Sequence, residues 1–315
     1  MKELLMGNEA IAAAALCAGV NLVSGYPGTP STEILEAATR RKGEDVYVEW
    51  SVNEKAALEV AAGASYTGGR TMVTMKQVGL NVASDPLMSL AYIGVKGGMV
   101  IVVADDPGPI SSQTEQDTRH FASFSKLPVF DPSSPEEAFK MVFEAFELSE
   151  EYSTPVILRP TTRVCHACAV IDIPEKKHRD SPDGFIKDSS KWVIFPRLSY
   201  IRHSEIEKRN SLLSDRLSEH DFNQITGDGK KGIACGGISY NYAMETVPGL
   251  DNLKIFKIGT PFPFPEKAAV EFLNGLDEVL VTEELDPVIE RELVYVCGKY
   301  NLNTVIKGKL TGHVK

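Results

Sequence analysis

Four clusters of this chain bring together side chains that could do chemistry. The first is SGYPGTPST, Ser24 to Thr32. Its prolines and glycines force a shaped loop, and Ser31 or Thr32 can cap the helix behind it. Such a loop presents hydroxyls and backbone N–H groups toward a ligand, or it simply joins a strand to a helix. The second is WSVNEKAALEVAAGAS, Trp50 to Ser65, where Glu54 stands in a first helical turn three residues after Ser51. That is the spacing of a capping box, in which an acid only satisfies backbone N–H groups; the alternative is a carboxylate kept for catalysis. Glu59 lies about 140° round the same helix, so the two acids do not form one facing pair. In the third, VTMKQVGLNVASDPL, Lys76 ends a buried strand and either snorkels to solvent or meets an anion, with Asn81 close behind. The fourth, ADDPGPISSQTEQDTRH, carries Asp106 and Arg119, whose guanidinium suits a carboxylate; its bland reading is a capped surface helix.

Those clusters need a scaffold. Apolar runs at Asn21–Pro27, Asp45–Trp50, Thr71–Lys76, Met99–Asp105 and Pro155–Thr161 read as strands. Helical patterns alternate with them: Ala10–Ala18 (capped by Asn8, ended by Gly19), Thr32–Arg41, Asn53–Tyr66, Asp85–Tyr92 and Pro135–Glu150. The alternation predicts an α/β fold with a doubly wound, mostly parallel sheet covered on both faces. Ligands on such sheets bind beyond the strands' carboxyl ends, and the fourth cluster follows the central strand, where active-site loops lie. The polar stretch from residue 173 to 192 reads as a linker between domains spanning 1–172 and 193–315. The smaller second domain is expected to open on a charged surface helix, Leu198–Leu217. Strands at Gly232–Ser239, Leu253–Gly259 and Glu278–Glu284 follow, with helices at Tyr240–Thr246, Pro265–Leu273 and Pro287–Tyr300.

Composition narrows the function. Lys+Arg 33 against Asp+Glu 43 leaves a net charge of −10, which repels phosphate and argues against nucleic acid. No stretch reaches the roughly 18 apolar residues of a membrane span, and MKELLMGNE lacks the basic start of a signal peptide. Five sparse cysteines fit a reducing cytoplasm. Cys165-His-Ala-Cys168 is a lone CxxC, short of the four ligands a zinc or cluster site needs, so no metal site is expected.

Taken in order, YPGTPST, VNEKAALEVAAGAS, MKQVGLNVASDPL, VVADDPGPISSQTEQDTR and VILRPTTRVCH resemble the alpha subunits of thiamine diphosphate-dependent 2-oxoacid:ferredoxin oxidoreductases, the indolepyruvate branch among them. The resemblance covers the first 170 or so residues; KGIACGGISYNYAME resembles the family's transketolase-C-like domain more loosely. It implies a pyrimidine-binding domain in which Glu54 contacts N1′ of the cofactor's aminopyrimidine and favours the tautomer whose 4′-nitrogen removes the C2 proton. It implies that Thr29 faces the substrate's oxygens and that Lys76 and Arg119 are partners for its carboxylate. Tyr26, Pro27, Gly28, Asn81 and Asp106 would line the cofactor site. Gly28 stands where the pyruvate enzymes have isoleucine, consistent with room for an aryl side chain. The implied reaction is oxidative decarboxylation of an arylpyruvate to acyl-CoA with reduction of ferredoxin.

The family's large subunit continues into a diphosphate-binding domain with a GDG…N magnesium site and then ferredoxin-type cysteine clusters. Here Gly227-Asp228-Gly229 with Asn252 imitates the first, but DFNQIT before it does not read as a strand, so a turn is expected. Magnesium and 4Fe-4S clusters are therefore expected in a missing part or a partner, as are ferredoxin contacts and a smaller beta subunit. The chain reads as an N-terminal portion, inactive alone, whose exposed apolar face is covered by the diphosphate half or by homodimerisation. The alternatives are a pyrimidine-domain subunit of a 2-oxoacid decarboxylase and a noncatalytic nucleotide- or CoA-binding α/β module.

Overall fold

The computed structural model describes residues 1–176, 182–247 and 252–315. In chain order the elements are β1 (Lys2–Met6), α1 (Gly7–Cys17), β2 (Leu22–Gly25), α2 (Thr32–Arg41), β3 (Tyr47–Trp50), α3 (Glu54–Tyr66), β4 (Thr71–Lys76), α4 (Gln77–Ile93), β5 (Met99–Ala104), α5 (Thr118–Ser125), β6 (Val129–Phe130), α6 (Pro135–Tyr152), β7 (Val156–Leu158), α7 (Thr162–His166) and β8 (Cys168–Asp172). Then come α8 (Ser189–Trp192), α9 (Pro196–Ser218), β9 (Asn223–Gly227), β10 (Lys231–Cys235), α10 (Ser239–Thr246), β11 (Leu253–Ile258), α11 (Glu266–Leu273), β12 (Glu278–Thr282), α12 (Val288–Tyr300) and β13 (Val305–Lys307).

The α/β architecture is the expected one. The first sheet runs β3-β2-β4-β5-β7-β6, every pairing parallel. Central β5, MVIVVA, is buried throughout, as a strand covered on both faces must be. One face carries α1, α2 and α6; the other carries α3 and α4. Alanines 10, 12, 14 and 15 of α1 are fully buried, and their small side chains let it pack closely on α2 and α6. The second sheet runs β13-β12-β10-β11-β9, parallel except for β9.

Several local expectations are corrected. Met6, not Asn8, caps α1, because β1 runs straight into it and the Glu9 carboxylate takes the Met6 N–H at 3.1 Å. Asn8 instead donates to the Pro30 carbonyl at 2.8 Å and so braces the SGYPGTPST loop. Helix α4 begins at Gln77 rather than Asp85 and passes through Pro86, which in sequence imitates a helix start. The segment before Gly227-Asp228-Gly229 is a strand after all, but an antiparallel edge strand. The turn itself stands: Gly227 has φ 76°, and Asn252 accepts the Lys230 N–H at 3.2 Å. Helix α9 is largely exposed as expected, yet Leu213 and Leu217 reach into the core built by α1, α2 and α6. Within the polar stretch 173–192, residues 177–181 lie outside the described residues; Lys96 pairs with Asp183 at 2.9 Å and Trp192 packs on Tyr66.

Candidate functional site

The carboxyl ends of β2, β4 and β5 open onto one surface. After β2 the loop is closed on itself: Gly28 N–H donates to Thr32 Oγ1 and Ser31 Oγ donates to the Gly28 carbonyl, both at 2.8 Å. The Thr29–Pro30 peptide is cis, and Tyr26, Pro27 and Thr29 are exposed at the tip. Beside the loop, Lys76 ends β4 and precedes α4. Its stem lies over Gly28, where an added Cβ would sit 3.0 Å from Cδ and 3.2 Å from Cγ. The space that Gly28 leaves is therefore filled by Lys76, which corrects the expectation of extra room for an aryl group. The Lys76 ammonium has no protein partner among the described residues.

Glu54 begins α3 and is not its cap. Asn53 Oδ1 accepts the Ala56 N–H at 2.8 Å, while Ser51 donates to Glu49. That overturns the capping-box alternative and leaves the Glu54 carboxylate without a hydrogen bond among the described residues. Half-buried, it rests on Gly79 in the first turn of α4. That turn is thus a shared wall, with Lys76 and Gly28 on one side and Gly79 and Glu54 on the other. On it, buried Gln77 donates weakly to the Thr114 carbonyl at 3.5 Å, and its own amide oxygen has no partner. Neither Gln77 nor Gly79 stands out in the sequence, because the helix that carries them is expected there to start only at Asp85. Tyr26, Trp50, Val52 and Val82 are exposed apolar side chains on the same elements.

The remaining candidates play other parts. Asn81 is exposed and donates to Gln116 at 3.0 Å. Asp106 is buried and shapes the loop after β5: one carboxylate oxygen accepts the N–H groups of Ile110, Ser111 and Ser112 at 2.9–3.0 Å, the other Thr162 Oγ1. Burial alone would raise its pKa, but these hydrogen bonds hold it below the usual carboxylate range. Ser111 Oγ in turn donates to the Thr29 carbonyl at 3.0 Å, joining this loop to the first.

Arg119 does not reach the site. It is fully buried, pairing with Asp117 at 2.6 Å and Glu283 at 2.7 Å and donating to the carbonyls of Glu284 and Asp286. Its substrate role is corrected to a joint between the two sheets' units. Nearby, Arg159 pairs with Asp105 at 2.6 Å and Asp131 at 3.1 Å, and Asp131 abuts Gly236 and Gly237 after β10. Burial pushes Asp131 up to about 6 against the pull of Arg159. Asp117 is the reverse: Arg119 and Arg159 outweigh burial and hold it well below the carboxylate range. Among the described residues Asp117, His120 and Asp286 are grouped closely enough for a metal ion, but Asp117 is committed to Arg119.

Residues 13–222 match the family model described as pyruvate flavodoxin/ferredoxin oxidoreductase, thiamine diP-bdg. The indolepyruvate oxidoreductase subunit IorA of Methanothermobacter thermautotrophicus is 43% identical over 99% of this chain and 51% of that protein. IorA of Pyrococcus horikoshii is 43% identical over 98% and 49%. The chain thus spans about half the length of these curated relatives. The 2-oxoglutarate synthase subunit KorA of Archaeoglobus fulgidus is 27% identical over 94% of this chain and 91% of that one. In fold, the chain is similar to a 2-oxoglutarate:ferredoxin oxidoreductase from Magnetococcus marinus (TM-score 0.77, 18% identity, 98% of this chain and 62% of that one). A split-gene transketolase aligns at TM-score 0.64, with 16% identity over 96% and 87%. With two thirds of its residues matching one family model, and with the parallel sheet and carboxyl-end loops just described, the chain belongs to the pyruvate flavodoxin/ferredoxin oxidoreductase family through its thiamine diphosphate-binding domain.

Proposed function

We propose that this chain is the pyrimidine-side portion of a 2-oxoacid:ferredoxin oxidoreductase acting on indolepyruvate or a related arylpyruvate. The observation that carries the reading is the Glu54 carboxylate, held at the carboxyl edge of a parallel sheet with no partner among the described residues. A half-buried carboxylate left so is free to meet a ligand. The residues fit the aminopyrimidine end of thiamine diphosphate: an unpaired acid, the unpartnered amide oxygen of Gln77 on the neighbouring helix turn and an apolar rim. When bound, that cofactor supplies the nucleophilic carbon and electron sink that decarboxylation of a 2-oxoacid needs. Glu54 would hydrogen-bond N1′ and move a proton there. Lys76 would bind the substrate carboxylate as a point charge, and Thr29 would offer its hydroxyl from the loop tip. Tyr26, Pro27 and Gly28 shape that loop, while Asn81 and Asp106 act through the loop after β5.

The names of the relatives support the substrate class and the transfer of electrons to ferredoxin. We assign magnesium, the diphosphate and the 4Fe-4S clusters to a diphosphate-binding half, with a smaller beta subunit and coenzyme A completing a cytoplasmic complex. The exposed Tyr26, Trp50, Val52 and Val82 suit burial against that half or a second copy. The test is viologen reduction by the assembled complex with indolepyruvate and coenzyme A. Glu54→Gln should lower kcat by about 10²–10⁴-fold. Near-wild-type turnover in that variant sinks the reading.

A further inference from the structure

We propose that Gly79 is a positioning residue for Glu54: the bare backbone in the first turn of α4 is the seat that fixes where the carboxylate stands. This rests on the reading of Glu54 given above. A Cβ at position 79 would lie 2.4 Å from Glu54 Oε1, 2.7 Å from its Cγ and 2.8 Å from its Cδ. All three approaches are closer than real Cβ contacts, and all three nearest atoms belong to Glu54.

The usual reasons for a glycine do not hold here. Gly79 is not among the glycines with positive φ, so any L-residue could adopt its backbone. None of its three nearest atoms is backbone, unlike Gly7, where an added Cβ would lie 2.0 Å from the Val164 carbonyl oxygen, or Gly97, where it would lie 2.2 Å from that of Gly69. Within a helix, glycine is a poor choice on propensity. What remains is the carboxylate. Since Glu54 has no hydrogen bond among the described residues, its place is set by contact, and the contact surface is α4. The seat itself is firm. Ala57, Leu58 and Ala61 of α3 and Leu80, Ala83 and Leu87 of α4 share one buried core, and Lys55 pairs with Asp85 across the two helices at 3.0 Å.

The crowded atoms, from Cγ outward, all belong to one flexible side chain, which can turn about its own bonds. An added methyl would therefore push the carboxylate aside and leave the fold alone. Activity and stability should then separate in Gly79→Ala. In the assembled complex, that variant should lose about a hundredfold in kcat, the cost of misplacing a reacting group by about 1 Å. Its thermal midpoint should hold or rise, since alanine favours the helix. Placed in a Glu54→Gln background, Gly79→Ala should cost less than about threefold more, because no carboxylate is left to position.

Three results would overturn the proposal. Gly79→Ala within about twofold of wild type, beside an inactive Glu54→Gln, removes the positioning role and leaves the reading of Glu54 standing. A thermal midpoint that falls with activity assigns Gly79 to the fold instead. Full activity in Glu54→Gln removes both.

Discussion

Replacing Arg119 with methionine tests the joint between the two units. The guanidinium lies between Asp117 and Glu283, both about as buried as itself, and also serves the carbonyls of Glu284 and Asp286. Methionine fills similar volume but leaves two buried acids without their main partner. Removing one side of a buried pair costs about 3–5 kcal/mol. The lower end applies here. Glu283 keeps three N–H groups at the start of α12, from Val288, Ile289 and Glu290 at 2.9–3.1 Å. Asp117 keeps the Asp286 N–H at 3.2 Å and Arg159 at 3.9 Å. About 3 kcal/mol corresponds to a fall of about 4–5 °C in thermal midpoint for a chain of this size. Urea denaturation read by circular dichroism should show the lower midpoint. Arg119→Lys should recover only part of it, because an ammonium cannot serve four acceptors from one planar fork. An unchanged urea midpoint with a raised KM for the 2-oxoacid would refute the argument and return Arg119 to the substrate.

Three further outcomes follow from the site and its surroundings. Lys76→Met should raise the KM for the 2-oxoacid by about tenfold or more, the worth of one charge-assisted contact, with little change in thermal midpoint; an unchanged KM removes the carboxylate role. Asp106→Ala frees three loop N–H groups at once and should cost about 2–3 kcal/mol, with faster proteolysis at residues 107–114; equal cleavage rates would count against it. Asp131 has a folded-state pKa of about 6, above its unfolded value, so its contribution to stability is present at low pH and is lost as pH rises through about 6. Asp131→Asn should therefore lose less stability than wild type between about pH 5 and about pH 7.5, and parallel urea midpoints in the two proteins would contradict that.

What the sequence showed and what it hid divide on physical lines. The apolar run of β5 and the stripe of Ala138, Met141, Val142, Ala145 and Phe146 on α6 are local periodic signals, and both elements formed where the pattern put them. β1 and β8 were invisible because each has meaning only through the other, paired Lys2 to Asp172 across 170 positions of sequence. β9 and β13 are short edge strands of the same kind. Glu54 was legible as an acid at a helix start, yet its freedom from capping depended on Asn53, one residue away, taking the cap. Gly28 announced a gap in the loop, but nothing local said that the stem of Lys76 fills it. Arg119 misled for the plainest reason: Glu283, Glu284 and Asp286 lie more than 160 residues downstream.

In the second sheet β10 neighbours both β11 and β12, so the strand order reverses at the β10–β12 crevice, the place where α/β sheets take up their ligands. Asp131 stands against Gly236 and Gly237 there, and Arg119 holds Glu283. The first unit thus occupies the second unit's crevice as a tethered, permanent guest, and a socket of the fold has become a hinge pin. The second unit cannot swing without withdrawing a carboxylate and a guanidinium together. Amides of β10 and β12 should accordingly exchange hydrogen as slowly as those of β4 and β5, and in Arg119→Met they should exchange first.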